Sequence, residues 1–253
     1  MIQIPKTIRL PLVFDAQALC AELARVEREA WVRHFNTGYY TGDWEVVSLR
    51  STSAKVSEIY PDPTKNEYLD TDLLKESPVF QTTLAAFRCP LLSVRLMRLA
   101  PNSTIREHRD HCLSFGDGEV RVHIPVRTNP LVEFYLDGER VVMEEGEAWY
   151  LDFNQNHSVI NGGSEDRVHL VVDCVVNDWL RRIAGISNGG LDEFRELVFR
   201  DAELTRRLQA EEHGFQFPAL VEALAAERGF DVPANEVEQA LRAGRQEWHS
   251  RRI

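Results

Sequence analysis

Two stretches of two-residue alternation constrain this chain more than any other feature. They run E-V-R-V-H-I-P-V from Glu119 and R-V-H-L-V-V-D-C from Arg167. Because successive side chains of a strand point to opposite faces, each stretch predicts a strand with one apolar face. The other face of these strands carries Arg121, His123, Arg167, His169 and Asp173. Apolar strands with such a second face predict a barrel with a polar, functional interior.

Other short strands are expected along the first 176 residues. They fall at residues 7–14, 44–49, 91–99 and 148–152, with a hairpin that turns at Asp137-Gly138. Helices are expected from Asp15 to about Ala30 and from Pro78 to about Phe87. Many short strands separated by turn residues are typical of a sandwich or barrel. The expected core is therefore all-β.

The character of the sequence changes after about Asn177. A linker-like run, W-L-R-R-I-A-G-I-S-N-G-G, is followed by helix-period apolar residues over 191–200, 201–212, 217–228 and 233–248. Asp201 is a plausible N-cap, Pro218 fits a first helical turn and Gly229 fits a helix end. We expect a β domain over residues 1–180 and a small helical domain over 190–253.

Composition excludes several classes of partner. The 253 residues carry a formal net charge of −11, which repels nucleic acid and anionic membranes. No apolar run approaches the roughly 20 residues of a membrane span, and the first residues lack a secretory pattern. The four cysteines include no C-x-x-C pair and read as thiols of a reducing compartment. A cytoplasmic location is expected.

Three residues have the chemistry of a metal site. His108 and Asp110 are spaced to share one face of a strand, and His157 would add a third ligand. Two histidines and a carboxylate with open positions are typical of non-haem Fe(II) oxygenases. A carboxylate-containing set favours iron over zinc here, because three positions stay free for a bidentate 2-oxoacid and oxygen.

A hairpin connection is expected between His157 and Arg167. The residues between their strands include G-G-S-E-D, and a turn centred near Gly162 would place His157 opposite Arg167. The planar guanidinium of an arginine binds a carboxylate through two parallel hydrogen bonds. Arg167 would then hold the far end of a dicarboxylate that chelates the metal.

Four segments together resemble the aspartyl/asparaginyl β-hydroxylase family. They read H-R-D, R-V-H-I-P-V, G-E-A-W-Y-L-D-F-N-Q-N-H-S-V-I-N and R-V-H-L-V-V-D, and the similarity covers roughly residues 30 to 176. That family belongs to the Fe(II)/2-oxoglutarate-dependent oxygenases. The resemblance implies a double-stranded β-helix (jelly-roll, cupin-like) core with flanking helices and a small C-terminal helical domain.

The resemblance also implies the cofactors and the site. Fe(II) would be held by His108, Asp110 and His157, and the tail carboxylate of 2-oxoglutarate by Arg167, with O2 as second co-substrate. Arg121 and His123 match an R-x-H position of the family and would line the co-substrate or substrate pocket. The implied reaction hydroxylates an amino acid or an aspartyl/asparaginyl-type peptide and releases succinate and CO2. Animal peptidyl members lack the carboxylate ligand, so Asp110 makes this chain more similar to bacterial members, including some that hydroxylate free amino acids.

The remaining assignments stay open between alternatives. Asn36, Arg50 and Arg95 are candidate substrate contacts, or else belong to a packed aromatic loop and an exposed strand face. The C-terminal segment resembles a Nif11-like leader domain, which implies recognition of a peptide partner, or it is a helical cap or self-association element. Two other functions are a cupin-like metalloenzyme that does not use 2-oxoglutarate and a non-catalytic peptide-binding module.

Overall fold

The strands form two antiparallel sheets. The computed structural model describes residues 4–26, 30–60, 64–186, 190–210 and 216–250. The chain divides into two compact units, residues 1–177 and 178–253. The strands of the first unit are β1 (Thr7–Val13), β2 (Val32–Arg33), β3 (Tyr40–Thr41), β4 (Trp44–Ser51), β5 (Leu69–Asp70), β6 (Leu91–Leu99), β7 (Ser103–His108), β8 (Glu119–Arg127), β9 (Val132–Leu136), β10 (Glu139–Val141), β11 (Glu147–Leu151), β12 (His157–Asn161) and β13 (Arg167–Val175). One sheet has the order β1-β11-β8-β13-β6-β4-β2, with β5 beside β4, and the other has the order β10-β9-β12-β7-β3.

The order of the strands identifies the architecture. From β6 to β13, successive strands alternate between the two sheets, apart from the β9–β10 hairpin. Side chains of both sheets, among them Val46 and Leu99 from one and Ile105 and Phe134 from the other, share one buried core. Two facing sheets joined by such crossovers form a double-stranded β-helix, so the expected mainly β, jelly-roll core is confirmed.

Local sequence explains the individual elements. The β9–β10 hairpin turns at Asp137 and Gly138, whose φ values of 51° and 78° are those of a type I′ turn. The helices of the first unit are α1 (Ala16–Leu23), α2 (Asp72–Lys75) and α3 (Pro78–Ala85). The Asp15 side chain caps α1 by accepting from the backbone N–H of Ala18 at 2.9 Å. The expected extension of α1 to Ala30 is wrong, because residues 24–26 form a tighter turn, and residues 27–29 lie outside the described residues.

The expected hairpin between β12 and β13 is also wrong. β12 lies between β7 and β9 in one sheet, whereas β13 lies between β6 and β8 in the other. The five intervening residues cross from sheet to sheet around the fully buried side chain of Asn161. That side chain donates to the carbonyl oxygens of Leu99 at 2.9 Å and Glu165 at 2.8 Å. His157 therefore faces His108 on a neighbouring strand rather than Arg167.

The second unit is helical. Its helices are α4 (Asp178–Ile183), α5 (Leu191–Arg200), α6 (Ala202–Ala210), α7 (Phe217–Glu227) and α8 (Ala234–Ser250). Helices α5 to α8 enclose a core that includes Phe194, Leu204 and Leu224. Asp201 caps α6 as expected, accepting from the N–H of Leu204 at 3.0 Å.

The expected linker is partly a helix. Its first residues belong to α4, in which Leu180 is fully buried. Residues 187–189 of the expected linker lie outside the described residues. The similarity of the C-terminal segment to a Nif11-like domain stays a prediction. No helix in the described part of the chain is long and apolar enough to cross a membrane.

Candidate metal centre

Three side chains with metal-ligating atoms converge where β7 and β12 lie side by side. His108, Asp110 and His157 each offer one ligand atom, and these atoms all lie within 4.8 Å of one another. His108 is the last residue of β7, and His157 is the first residue of β12 and its direct antiparallel partner. The structure thus brings together the three residues that the sequence nominated.

Asp110 reaches the cluster by a different route from the expected one. β7 ends at His108, so the i, i+2 relation of a strand does not apply to Asp110. Instead, the backbone N–H of Asp110 donates to the carbonyl oxygen of Phe153 at 2.9 Å. This bond ties the loop after β7 to the loop before β12, and it holds the carboxylate beside both imidazoles.

Each of the three side chains has one polar atom already fixed. Nδ1 of His108 lies 2.8 Å from the carbonyl oxygen of Arg106, and Nδ1 of His157 lies 3.2 Å from that of Gln155. Oδ2 of Asp110 accepts from Nη1 of Arg121 at 2.6 Å. Such outer partners orient metal ligands and set the histidine tautomer, here leaving both Nε2 atoms and Oδ1 for a metal.

Electrostatics keep His157 in the form that binds metals. Burial, followed by the charge of His108, lowers the pKa of His157 to about 4. The imidazole is therefore neutral at neutral pH and has a lone pair to donate. The donor set of two imidazoles and one carboxylate fits Fe(II) with open positions.

Arg167 is a buried cation without an acidic partner. Only 3% of the residue is exposed, and its Nη2 donates to Nδ1 of His169 at 2.9 Å. Its Nε is buried and unpartnered, and within the described residues no acidic side chain forms an ion pair with it. Burial lowers its pKa to about 9, so the guanidinium remains charged at neutral pH. An unpaired buried charge costs several kcal/mol unless a counter-ion arrives, which fits a bound carboxylate.

A histidine pair lies beside Arg167. His123 and His169 are both buried, and their Nδ1 atoms are 3.2 Å apart. Burial and then the charge of Arg167 hold the pKa of each imidazole well below its usual range. Nε2 of His123 is buried and has no hydrogen-bond partner among the described residues.

Two buried phenylalanines pack against His157. The ring of Phe134 stacks with that of His157 at 6.4 Å and lies 6.0 Å from the guanidinium of Arg167. The ring of Phe153 contacts His157 edge-on at 4.7 Å and stacks on His123 at 5.0 Å. Both phenylalanines are 2% exposed, so they exclude water from the faces of the side chains that they cover. Apart from the position of Phe153 near His157, no sequence pattern indicated this role.

Arg121 and Arg95 lie inside the barrel but are engaged by acidic side chains. Arg121 binds Asp110 and Asp173, and Nη2 of Arg95 donates to Oδ2 of Asp173 at 2.6 Å. Burial opposes the charge of Arg121, but Asp173 and Asp110 outweigh it and raise its pKa. The hydrogen bonds of Arg121 go to Asp110 and Asp173, and its expected place in the co-substrate or substrate pocket stays a prediction.

The two other substrate candidates, Arg50 and Asn36, make hydrogen bonds to residues outside the cluster. Arg50 forms an ion pair with Asp70, and its Nε donates to the carbonyl oxygen of Leu91 at 3.3 Å. Asn36 is half-buried before a short 3-10 turn, and its backbone N–H donates to Nδ1 of His34 at 3.4 Å. In the described part of the chain, neither side chain has a hydrogen bond to a member of the cluster.

Exposed aromatic rings lie beside the cluster. Tyr39 stacks on His108 with ring centroids 5.1 Å apart, and Phe35 meets Tyr60 edge-on at 4.5 Å. All three side chains are exposed. His34 stacks on Trp44 with ring centroids 3.6 Å apart, and it lies close enough to His108 and Asp110 for their charges to affect its pKa. We call Phe35, Tyr39 and Tyr60 the aromatic rim.

Comparison with known families agrees with this geometry. A family model described as Aspartyl/Asparaginyl beta-hydroxylase matches residues 14–176, well over half of the 253-residue chain. The chain belongs to this family. Members are Fe(II)/2-oxoglutarate-dependent oxygenases, so the protein is a 2-oxoglutarate-dependent dioxygenase that uses Fe(II), 2-oxoglutarate and O2. The buried, unpaired Arg167 and the His-Asp-His donor set fit these groups.

Solved structures that match this chain include oxygenases and a predicted decarboxylase. An oxidoreductase of the 2OG-Fe(II) oxygenase family from Burkholderia pseudomallei is 18% identical, with a TM-score of 0.46, covering 68% of this chain and 86% of that one. A prolyl-4-hydroxylase from Pseudomonas putida is 12% identical, with a TM-score of 0.43, covering 68% and 93%. A predicted oxalate decarboxylase from Thermotoga maritima is 16% identical, with a TM-score of 0.33, covering 58% and 92%. The family assignment rests on the family model and not on these likenesses.

Proposed function

We propose that this dioxygenase hydroxylates a C–H bond of an amino acid, free or as an aspartyl/asparaginyl-type residue of a peptide. One oxygen atom of O2 enters the product hydroxyl, and the other enters succinate as 2-oxoglutarate loses CO2. When bound, Fe(II) with 2-oxoglutarate supplies the activation of O2 and the oxidation of the substrate. The protein contributes ligand geometry, orientation and exclusion of water.

His108, Asp110 and His157 would hold the metal. Their fixed outer partners support this role, since each leaves a single donor atom directed to the cluster. No other group of three or more histidine, cysteine, aspartate or glutamate side chains in the described ranges is arranged to hold a metal ion.

The burial of the Arg167 guanidinium without an acidic partner among the described residues is the observation that carries the proposal. The guanidinium is buried and charged, no acidic side chain of the described residues pairs with it, and Phe134 packs against both it and His157. Arg167 would bind the tail carboxylate of 2-oxoglutarate. In a cupin-like metalloenzyme that does not use a dicarboxylate, the buried charge of Arg167 would stay without a counter-ion, which is energetically costly.

The aromatic rim would face the substrate. Phe35, Tyr39 and Tyr60 offer exposed rings next to the cluster, and such rings bind the apolar parts of amino acids and peptides. Arg95 and Arg121 are already paired with Asp173 and Asp110. A carboxylate of the substrate would have to compete with these side chains to bind either arginine. Asn36 and Arg50 remain candidate substrate contacts.

Anaerobic titration of the Fe(II)-loaded protein with 2-oxoglutarate tests the proposal. We expect a weak visible charge-transfer band in the wild type and a loss of 2-oxoglutarate affinity of at least about tenfold in Arg167→Met. Arg9→Met serves as the matched control, since the Arg9 side chain is 56% exposed and pairs with Glu147 outside the candidate site, and it should titrate like the wild type. Bound iron without any band would overturn the use of 2-oxoglutarate, and an unchanged Arg167→Met would overturn the role of that residue. Succinate release with a panel of amino acids and peptides then identifies the substrate.

A further inference from the structure

Four charged side chains form one continuous chain that ends at the metal-site carboxylate. Nη1 of Arg121 donates to Oδ2 of Asp110 at 2.6 Å. Its Nε donates to Oδ1 of Asp173 at 2.7 Å, and its Nη2 to Oδ2 of the same carboxylate at 3.1 Å. Nη2 of Arg95 donates to Oδ2 of Asp173 at 2.6 Å. The order is Asp110, Arg121, Asp173, Arg95, with alternating charges that sum to zero.

Three neighbouring strands build this chain. Arg121 on β8 lies directly opposite Asp173 on β13, and Arg95 comes from β6 on the other side of β13. The side chains of Arg95, Arg121 and Asp173 are between 7% and 14% exposed. Burial raises the pKa of Asp173, but Arg121 and Arg95 outweigh it, so the pKa falls below its usual range and the carboxylate stays charged.

Asp110 differs from the other members of the chain. Its side chain is 33% exposed, and it lies in a loop after the end of β7. Its backbone is fixed by one hydrogen bond to Phe153. This backbone hydrogen bond does not fix the rotation of the carboxylate group. Arg121 restricts that rotation by donating to one of the two carboxylate oxygens.

We propose that Asp173 and Arg95 are positioning residues that fix Arg121 on Oδ2 of Asp110, so that Oδ1 alone is presented to the metal. This inference rests on the proposed metal site. Two parallel hydrogen bonds from Nε and Nη2 to Asp173 fix the plane of the guanidinium, and therefore the direction of Nη1. Arg95 neutralises Asp173, which keeps a buried charge from being left unpaired. Arg121 would thus bind the carboxylate of Asp110 instead of 2-oxoglutarate.

Binding of Co(II) alone to the metal-free protein tests the inference. Asp173→Asn keeps the shape of the side chain, but its amide nitrogen donates and cannot accept the second arm of Arg121. We expect Co(II) affinity to fall about tenfold, as for other outer partners of metal ligands, with a changed visible Co(II) spectrum. The matched control is Glu45→Gln, which removes the carboxylate paired with Arg98 on the outer side of β6 and should bind Co(II) like the wild type.

A double-mutant cycle separates positioning from general destabilisation. If Asp173 acts through Asp110, Asp173→Asn has no further effect on Co(II) affinity in an Asp110→Ala background. An effect of equal size in both backgrounds, or a single variant that binds like the wild type, overturns the inference. A wild type that binds no Co(II) overturns the proposed metal site itself, so the two failures are distinguishable.

A second variant covers the case in which Asp173→Asn does not fold, as judged by near-ultraviolet circular dichroism. Arg121→Lys keeps the cation, but a single ammonium cannot reproduce the three fixed hydrogen bonds of the guanidinium. We expect a similar tenfold loss of Co(II) affinity. Wild-type affinity in this variant would contradict the inference.

Discussion

His108 and His157 occupy directly opposite positions on neighbouring antiparallel strands, with imidazole centroids 4.2 Å apart. A strand pair holds two ligands at this spacing with or without a metal. The proposed metal site is therefore largely preformed, and metal binding should stabilise the folded state by mass action.

Metal binding should raise the melting temperature of the wild type. At a Co(II) concentration of 100 times Kd, the expected stabilisation is about 2.7 kcal/mol, or about 5 to 10 °C for a unit of this size. His157→Ala should lose most of this shift because one of the three ligands is gone. His34→Phe is the control, since His34 lies near the cluster but outside the ligand set, and it should keep the shift. Thermal unfolding by circular dichroism with and without Co(II) gives the comparison, and a full shift in His157→Ala would exclude that histidine as a ligand.

His34 should make the metal-free protein sensitive to acid. Burial, with a smaller contribution from the charge of Arg95, lowers the pKa of His34 to about 4. An unfolded chain takes up this proton near pH 6.5. The unfolded state thus binds more protons between these values, and the free energy of unfolding falls as the pH drops from about 6.5 to about 4.

The variant His34→Phe tests that sensitivity. It keeps an aromatic ring against Trp44 but cannot titrate, so its stability should fall less steeply over the same pH range. The difference in slope is at most about 1.4 kcal/mol per pH unit, and it is smaller because His34 is partly exposed to solvent. His34→Phe also removes the acceptor of the backbone N–H of Asn36, but this loss is the same at every pH. The change of stability with pH, and not the stability itself, is therefore compared. Urea unfolding at several pH values with a chelator present measures it, and parallel slopes would count against a neutral His34.

Strands and their inner faces followed from the sequence, because alternation is a local property. β6 begins and ends where the pattern predicts, and Arg121, His123 and Arg167 all lie inside the barrel. The family motifs added the identity of the site, since spacing alone does not separate a metal cluster from scattered polar residues.

Strand partners did not follow from the sequence. A short Gly-rich connection looks the same whether it closes a hairpin or crosses between sheets, and the buried Asn161 decides for the crossing. The link from Asp173 to Asp110 depends on register between β8 and β13 and on a loop conformation after β7. Both are long-range properties that local periodicity does not specify.

Gly42 and Gly138 should respond differently to alanine. Both have a left-handed backbone, with φ of 82° and 78°, so both variants incur the strain of an L side chain there, about 1 kcal/mol. A Cβ at Gly138 meets nothing within 4 Å, whereas a Cβ at Gly42 lies 2.2 Å from Oγ of Ser103. Gly42→Ala should therefore cost clearly more than Gly138→Ala, because Ser103 begins β7 and also accepts from the N–H of Asp43 at 2.9 Å. Urea denaturation compares the two, and equal losses would show that backbone strain alone matters.

The helical unit should depend on its own apolar core. Leu224 is fully buried among Phe194, Leu204 and Val237, whereas Phe199 of the same unit is 81% exposed. Leu224→Ala leaves a cavity and should lower the free energy of unfolding of the helices by about 2–5 kcal/mol. Phe199→Ala removes a larger side chain but should change it by no more than about 0.5 kcal/mol, because that ring contributes surface and not packing. Far-ultraviolet circular dichroism in urea follows the helical signal of both variants. A large loss in Phe199→Ala would mean that this ring is covered in solution, and gel filtration of the wild type would then show whether a second copy of the chain covers it.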